Sequence, residues 1–286
     1  MNYIGLKKEL EKRFIDANID ETADIDWIIC EITGKSRSML PFIREFSKEE
    51  LEKIEDAIKK RLNHIPLGLI FGKSNFYGRD FIVTNDTLIP RIDTEILIEK
   101  IIKSVGQDYK ENGKTPTILD IGTGTGAIAI TLQKETNSVC YAVDISEKAL
   151  AVAKQNAKNL KADVKFSKSD LFDSIKDLKV DIIVSNPPYI KTAVIKLLDS
   201  EVRDNEPILA LDGGADGLDF YRKIIEQAKM HLNIDGEIFF EIGFDQGEAV
   251  KLLLEKDFEN IEIIKDYSNN DRVVCGKLRR KKWLKD

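Results

Sequence analysis

The 286-residue sequence has few of the residues on which several common kinds of site depend. It contains only two histidines, His64 and His231, which argues against a histidine-rich metal site and against Ser-His-Asp catalysis. Its three cysteines are far apart and form no Cys-x-x-Cys pair, a pattern typical of reduced thiols rather than of a disulfide framework. We therefore expect a protein of a reducing compartment that has no metal site.

Long apolar runs are also missing. The longest stretch without a charged residue, residues 121–133, is shorter than the roughly 18 apolar residues typical of a membrane span, and so is the apolar stretch 65–72. The charged start of the chain lacks the apolar core of a secretory signal. The net charge of −6 argues against a protein that grips long nucleic acid by neutralising its phosphates. The sequence predicts a cytoplasmic protein with no membrane partner and no direct requirement for nucleic acid.

The pattern of apolar residues divides the chain into three parts. Residues 1–65 show helical spacing, and Ser47 followed by Glu50 is a capping box that opens one of the helices. Residues 66–90 are richer in glycine and in aromatic or β-branched residues, which predicts a β-hairpin linker. Residues 91–286 alternate between strand and helix patterns. We expect a small N-terminal helical domain, the hairpin linker and an α/β domain.

The alternation in the α/β domain predicts a doubly wound, mainly parallel sheet. The predicted helices cover residues 93–103, 127–134, 147–159, 218–231 and 246–256. The predicted strands cover residues 117–121, 139–144, 164–168, 180–185, 237–242, 261–264 and 272–276. The last two strands are separated by a connection short enough for a hairpin. The closing edge of this seven-stranded sheet should therefore contain an antiparallel strand.

A glycine-rich loop follows the first strand of this domain, directly after Asp120. Glycines at a strand-to-helix turn let a ligand approach the exposed amides of the helix start. Asp144 ends the next strand, where a carboxylate can accept hydrogen bonds from both ribose hydroxyls of a nucleotide-like cofactor. Asp170 and Leu171 follow the third strand and could meet an adenine or form a plain polar turn. The loop residues are Gly122, Thr123, Gly124, Thr125 and Gly126.

The loop alone does not choose the cofactor. Gly122, Gly124 and Ala127 also satisfy the dinucleotide pattern Gly-x-Gly-x-x-Gly/Ala, so both NAD and S-adenosylmethionine fit. Asp120 and the motif after the fourth strand favour S-adenosylmethionine, although Asp120 could instead only anchor the loop. We therefore expect S-adenosylmethionine as the cofactor and S-adenosylhomocysteine as its product.

The fourth strand is followed by Asn186, Pro187, Pro188 and Tyr189, at the carboxyl edge where doubly wound sheets bind ligands. The prolines lack backbone donors and leave carbonyls free to accept. The Asn186 side-chain oxygen and the Pro187 carbonyl can each take one hydrogen of an NH₂ group, and Tyr189 offers a flat face to a planar group. Accepting both hydrogens stabilises charge that develops on the nitrogen. The motif predicts N-methylation of a carboxamide or of an adenine amino group.

These segments resemble the HemK/PrmC family of class I S-adenosylmethionine-dependent methyltransferases, which have a Rossmann-like fold. The resemblance extends over nearly the whole chain, and its more specific parts are residues 90–95 and the segment after the Asn-Pro-Pro-Tyr motif. It implies methylation of the side-chain nitrogen (N5) of the glutamine in the Gly-Gly-Gln loop of bacterial class 1 peptide chain release factors. Release factors 1 and 2 would be the partners, and translation termination the process.

The same resemblance implies roles for particular residues. Asn186 and the Pro187 carbonyl would hold the glutamine, with Pro188 and Tyr189 alongside. Asn186 would also line the cofactor site, together with the glycine-rich loop, Asp144 and Leu171. The helical domain would help to dock the release factor, and we expect a monomer. Two other hypotheses remain open. One is an adenine-N6 methyltransferase of DNA or RNA. The other is a cofactor-binding module whose helical unit carries the biological role, or an NAD-linked redox protein.

Two charge patterns lie outside these motifs. Arg91 and Glu95 are spaced for an ion pair at a helix start. The C-terminal tail is basic, which is typical of a solvated terminus and also compatible with a weak contact to RNA or to an acidic surface. Its basic residues are Lys277, Arg279, Arg280, Lys281, Lys282 and Lys285.

Overall fold

A computed structural model describes residues 1–109, 111 and 113–279 of the chain. These residues form two compact units. The first consists of Met1–Gly72 and Asp199–Asn205, and the second of Lys73–Leu198 and the chain from Glu206 onward. The basic tail beyond Arg279 lies outside the described residues.

Helices make up the first unit, as the sequence predicts. The Ser47 hydroxyl accepts a hydrogen bond from the Glu50 amide at 3.1 Å, and the Ser47 amide donates to the Glu50 carboxylate at 2.7 Å, so the expected capping box is confirmed. The helices are α1 (Tyr3–Asp16), α2 (Ala23–Thr33), α3 (Lys48–Leu62) and α4 (Leu67–Phe71), with a 3-10 turn at Arg37–Phe42. Buried side chains at their centre include Leu10, Phe14, Ile25, Ile28, Ile29 and Ile58.

A segment distant in sequence belongs to the same unit. Arg61 on α3 is buried and forms ion pairs with Asp24 at 2.7 Å and with Glu201 at 3.0 Å. Glu201 lies in the short helix α9 (Ser200–Arg203), which follows the Asn-Pro-Pro-Tyr motif in the chain. The spacing of residues along the sequence gives no indication of this contact, because its partners are far apart in the chain.

The linker expected over residues 66–90 begins with a helix instead of a strand. Leu67, Ile70 and Phe71 pack against the apolar core of the first unit, and this burial favours the helical turn of α4. The first unit consequently extends to Gly72, beyond the expected boundary.

The expected β-hairpin is present and is shorter than the predicted linker. It consists of β1 (Lys73–Phe76) and β2 (Arg79–Ile82), which pair in antiparallel register. Tyr77 and Gly78 form its two-residue turn with φ values of 49° and 71°, the left-handed backbone that tight hairpin turns require. The Tyr77 amide donates to the Glu95 carboxylate at 2.8 Å and ties the turn to the following helix.

The second unit is built on a seven-stranded sheet with the order β5-β4-β3-β6-β7-β9-β8. Its strands are β3 (Thr117–Ile121), β4 (Val139–Asp144), β5 (Val164–Lys168), β6 (Val180–Ser185), β7 (Leu232–Glu241), β8 (Phe258–Lys265) and β9 (Asp271–Leu278). Its longer helices are α5 (Thr94–Ser104), α6 (Ala127–Thr136), α7 (Glu147–Leu160), α10 (Asp219–His231) and α11 (Gly247–Leu254), and α8 (Thr192–Ile195) is a short turn. The predicted doubly wound α/β architecture is confirmed.

Apolar cores cover both faces of this sheet. Ile118 and Leu119 are neighbours on β3, and they pack into two different cores because successive side chains of a strand point to opposite faces. The predicted antiparallel strand is also confirmed, since β9 runs antiparallel to both β7 and the edge strand β8. The other pairs are parallel, so the carboxyl ends of β3, β4, β5 and β6 meet at one edge of the sheet.

Candidate active site

A cleft of about 350 Å³ lies at this edge of the sheet. Its volume falls in the range of roughly 300–1,000 Å³ that is typical of small-molecule sites. The predicted site residues that line it are Gly122, Thr123, Gly124, Thr125, Asp144, Asp170, Leu171, Asn186, Pro187 and Pro188. Segments far apart in the chain thus contribute to one cleft. Asp120, Gly126 and Tyr189, which were also predicted, are not among the lining residues.

The glycine-rich loop is fixed by a carboxylate on the neighbouring strand. Gly122 and Gly124 have φ values of 73° and 55°, in the region that favours glycine. The Gly124 amide donates to Asp144 Oδ2 at 2.9 Å, and the Ser146 amide donates to Asp144 Oδ1 at 2.8 Å. Each carboxylate oxygen can accept more than one hydrogen bond. Asp144 therefore orients the loop and keeps acceptor capacity for ribose hydroxyls.

Asp120 lies behind the loop, and Gly126 ends the loop where α6 begins. The Thr123 hydroxyl donates to Asp120 Oδ2 at 2.6 Å, and the Asp120 side chain is fully buried. Burial raises the pKa of Asp120 to about 7, although the Thr123 hydrogen bond opposes that shift. A Cβ on residue 126 would lie 2.9 Å from the Ile130 side chain, so Gly126 permits close packing within the loop and helix start. These contacts show that both residues support the loop, and their contact with a cofactor stays a prediction.

The turn after β5 places Asp170 and Leu171 on the cleft wall, as predicted. Leu171 has a φ of 48°, a left-handed backbone that is strained for a leucine. The following residue, Phe172, is fully buried and anchors the turn in the core. The strain at Leu171 is therefore held by packing, and it directs an apolar side chain toward the cleft.

The Asn-Pro-Pro-Tyr motif leaves β6 at the cleft. Asn186 and Pro188 are half-buried, and the Pro187 side chain is buried. Tyr189 is half-buried and packs against the apolar core on one face of the sheet. Burial raises the pKa of the Tyr189 hydroxyl to about 12. The structure thus brings three of the motif residues to the cleft and places the fourth against the core.

Arg91 also lines the cleft, and its partner differs from the expected one. It forms an ion pair with Glu206 at 2.6 Å, and the Glu206 side chain is almost completely buried. Glu95, the expected partner, instead accepts the Tyr77 amide. Arg91 and Glu206 both lie in segments that carry the family resemblance, but their sequence separation hides the pairing.

Glu241 lies at the carboxyl end of β7 and has a buried carboxyl group. None of the sequence motifs described above includes it. Burial raises the pKa of the Glu241 carboxyl to about 7, although the nearby Thr94 side chain, the charge of Arg272 and the Asn186 side chain oppose that shift. Glu241 is therefore close to Asn186, although it is not among the residues that line the cleft. Its place in the segment shared with the family was the only sequence signal for it.

The geometry of the cleft fits S-adenosylmethionine. It provides loop amides, an anchored carboxylate and the apolar Leu171, which suit an amino acid chain, a ribose and an adenine. Within residues 1–109, 111 and 113–279, no group of three or more His, Cys, Asp or Glu side chains could hold a metal ion. In the same ranges, no helix is long and apolar enough to cross a membrane.

Fold and cleft together define a class I methyltransferase with a Rossmann-like fold. Residues 92–213 match the family described as Methyltransferase small domain, and residues 6–72 match the PrmC N-terminal domain. A solved methyltransferase from Pyrococcus furiosus has a TM-score of 0.53 at 18% identity, covering 81% of this chain and 98% of that one. A T. thermophilus 16S rRNA methyltransferase in complex with AdoMet and guanosine has a TM-score of 0.52 at 17% identity, covering 72% and 50%.

Sequence identity to three release factor glutamine methyltransferases is higher than to these two solved structures. The release factor glutamine methyltransferase of Enterococcus faecalis is 39% identical over 92% of this chain and 95% of its own length. Those of Bacillus subtilis and Geobacter sulfurreducens are 39% and 37% identical, covering 87% and 89% of this chain and 89% of each relative. The chain belongs to the release factor glutamine methyltransferase family.

Proposed function

We propose that the protein transfers a methyl group from S-adenosylmethionine to the side-chain nitrogen (N5) of the glutamine in the Gly-Gly-Gln motif of bacterial class 1 release factors. The observation that carries the proposal is the meeting, in one cleft, of the Asp144-anchored loop with Asn186 and Pro187. Relatives with this substrate in their names support it over the adenine-N6 alternative.

The cofactor would be held by the part of the cleft that the glycine-rich loop, Asp144 and Leu171 line. The loop amides, Asp144 and Leu171 would bind it, with Asp170 beside the adenine and Asp120 supporting the loop from behind. When bound, S-adenosylmethionine supplies a methyl group made electrophilic by the sulfonium. No metal is needed for that chemistry, and the protein's contribution is orientation.

The substrate carboxamide would be held by Asn186 and Pro187. The Asn186 side-chain oxygen and the Pro187 carbonyl each accept one hydrogen of the NH₂ group, which fixes the plane of the amide. They also stabilise positive charge that develops on its nitrogen. Neighbouring prolines present no backbone N–H that would compete for these acceptors. Pro188 and Tyr189 complete the rigid turn alongside the amide.

The partners would be release factors 1 and 2. The first unit contains the segment that matches the PrmC N-terminal domain, and we propose that it contacts the body of the release factor. The protein would act as a monomer in the cytoplasm, where translation terminates, with no direct requirement for nucleic acid.

Labelled S-adenosylmethionine tests the proposal. The protein is incubated with unmethylated release factor 1 or 2, or with an adenine-containing oligonucleotide. We expect label in the release factors and none in the oligonucleotide. Transfer to the oligonucleotide alone would contradict the proposed substrate, and binding of NADH without binding of S-adenosylmethionine would contradict the proposed cofactor.

A further inference from the structure

Gln246, the residue before α11, is buried behind the Asn-Pro-Pro-Tyr motif. Its side-chain Nε2 donates to the Tyr189 carbonyl at 3.0 Å and to the Gly217 carbonyl at 3.1 Å. Its Oε1 accepts from the Gly243 amide at 3.0 Å. Both amide hydrogens and the amide oxygen are therefore engaged, and each partner is a backbone group on a different segment.

The segments meet so closely that two of them require glycine. A Cβ on residue 217 would collide with the Tyr189 carbonyl and lie 2.7 Å from Gln246 Nε2. A Cβ on residue 213 would lie 2.7 Å from the Tyr189 Cα atom and 2.8 Å from the Pro188 oxygen. The carboxyl end of the motif is therefore packed directly against backbone, which leaves it little room to shift.

The motif needs such external support because of its own composition. Pro187 and Pro188 have no backbone N–H, so neither residue can fasten the turn by donating a hydrogen bond. A donor outside the turn can fasten it by donating a hydrogen bond to one of its carbonyls. Gln246 is such a donor, and beyond it the chain is held by the Ile190 amide, which donates to the Leu211 carbonyl at 2.9 Å.

We propose that Gln246 is a positioning residue for methyl transfer. By fixing the Tyr189 carbonyl against Gly217 and Gly243, it holds the turn so that Asn186 and the Pro187 carbonyl accept both hydrogens of the substrate amide. The inference rests on the proposed function and deepens it. Gln246 does not line the cleft, so its effect passes through the backbone of the motif.

Two substitutions test this role. Gln246→Met keeps the length and removes all three hydrogen bonds. Gln246→Glu keeps the shape and the acceptor, but its ionised carboxylate faces two carbonyls that need a donor. For the wild type and each variant, kcat and KM for release factor methylation and the Kd for S-adenosylmethionine are measured. Gln155→Glu, at an exposed position of α7, is the matched control.

We expect both variants to lower kcat by roughly a hundredfold, as displacement of reacting groups by about 1 Å does. The Kd for S-adenosylmethionine and the KM for release factor should stay within about threefold of wild type, since the cofactor loop is not held by Gln246. Below neutral pH, the carboxyl group introduced by Gln246→Glu can regain a proton and donate again. Activity of the Gln246→Glu variant relative to wild type should therefore rise as pH falls, and that of Gln246→Met should not.

Unchanged kcat in both variants, or equal losses of cofactor affinity and kcat, would overturn the inference. Backbone hydrogen exchange decides it even if the proposed substrate is wrong. The Ile190 amide donates to the Leu211 carbonyl, and the Gly213 amide donates to the Ile190 carbonyl, directly after the turn. Loss of the Gln246 hydrogen bonds should speed hydrogen exchange of these two amides and leave that of the β4 amides unchanged. Unchanged exchange at both positions would overturn the inference. Lack of methyl transfer from the wild-type protein to release factor would instead overturn the proposed substrate, and faster exchange in the variants would still show that Gln246 holds the turn.

Discussion

The Gly124 amide donates a hydrogen bond of 2.9 Å to the carboxylate of Asp144. This contact joins the glycine-rich loop after β3 to the end of β4, so one carboxylate both shapes the loop and faces the cleft. Asp144 therefore links the shape of the loop to the part of the cleft proposed for the cofactor.

Replacement of Asp144 by asparagine should weaken cofactor binding. Hydrogen bonds to a charged group contribute about 1.5–3 kcal/mol, so the Kd for S-adenosylmethionine should rise roughly ten- to hundredfold. Isothermal titration calorimetry measures it. Asp163→Asn, at an exposed position just before β5, is the control. A Kd within twofold of wild type for Asp144→Asn would contradict the proposed cofactor site.

Asn186→Ala should abolish methyl transfer and leave the cofactor in place. The substitution removes one of the two acceptors for the substrate NH₂ group, while the loop and Asp144 remain. We expect no detectable turnover with release factor and a Kd for S-adenosylmethionine within about tenfold of wild type. Asn159→Ala on the exposed face of α7 is the matched control. Normal turnover in the Asn186 variant would exclude the proposed carboxamide clamp.

Gly126→Ala should destabilise the second unit. Residue 126 has a φ of 81°, and an added Cβ would lie 2.9 Å from the Ile130 side chain and 3.2 Å from that of Ala153. The combined strain and overpacking should lower the free energy of unfolding in urea by roughly 2–4 kcal/mol. Gly78→Ala has a similar φ of 71° and no atom within 4 Å of the added Cβ, so it reports the backbone strain alone. Equal losses in the two variants would show that packing at Gly126 is unimportant.

Glu241 should make stability depend on pH. Burial raises its pKa from 4.5 to about 7. The unfolded chain loses this proton near pH 4.5 and the folded protein near pH 7, so the stability that protonated Glu241 contributes is lost as pH rises across that interval. The stability of Glu241→Gln relative to wild type should therefore increase by roughly 3 kcal/mol across that interval and stay constant above it.

Urea unfolding at several pH values between about 5 and 8 measures that difference. Glu248→Gln, with an exposed carboxylate on α11, serves as the control and should follow the wild-type profile. Parallel profiles for wild type and Glu241→Gln would show that Glu241 does not retain its proton in the folded protein.

Much of the fold follows from the sequence because its signals are local. The apolar runs of β3, β4, β5 and β6 have the bounds that their patterns predict. The glycine-rich loop, Asp144 and Asn186 contribute to one cleft because each directly follows a strand or ends one, and parallel strands bring their carboxyl ends together. The same reasoning failed for α4, whose helix depends on packing against the first unit.

The contacts that support the site could not be predicted from local sequence patterns. The hydrogen bond from Gln246 to Tyr189 spans 57 positions, and the ion pair between Arg91 and Glu206 spans 115. Helical and strand periodicity relate residues only a few positions apart, so neither contact could be predicted from it. Asp120 was predicted either to contact the cofactor or only to anchor the loop, and its burial and its hydrogen bond with Thr123 show the anchoring contact.

Mapping of the transferred methyl group is the most direct test of the proposal that the protein methylates the Gly-Gly-Gln glutamine of release factors. Release factor treated with the protein and S-adenosylmethionine is digested and analysed by mass spectrometry, beside a release factor whose Gly-Gly-Gln glutamine is replaced by alanine. The proposed glutamine specificity predicts one added methyl group on that glutamine in the first protein and none in the second. Methylation at another residue, or equal methylation of both proteins, would contradict it.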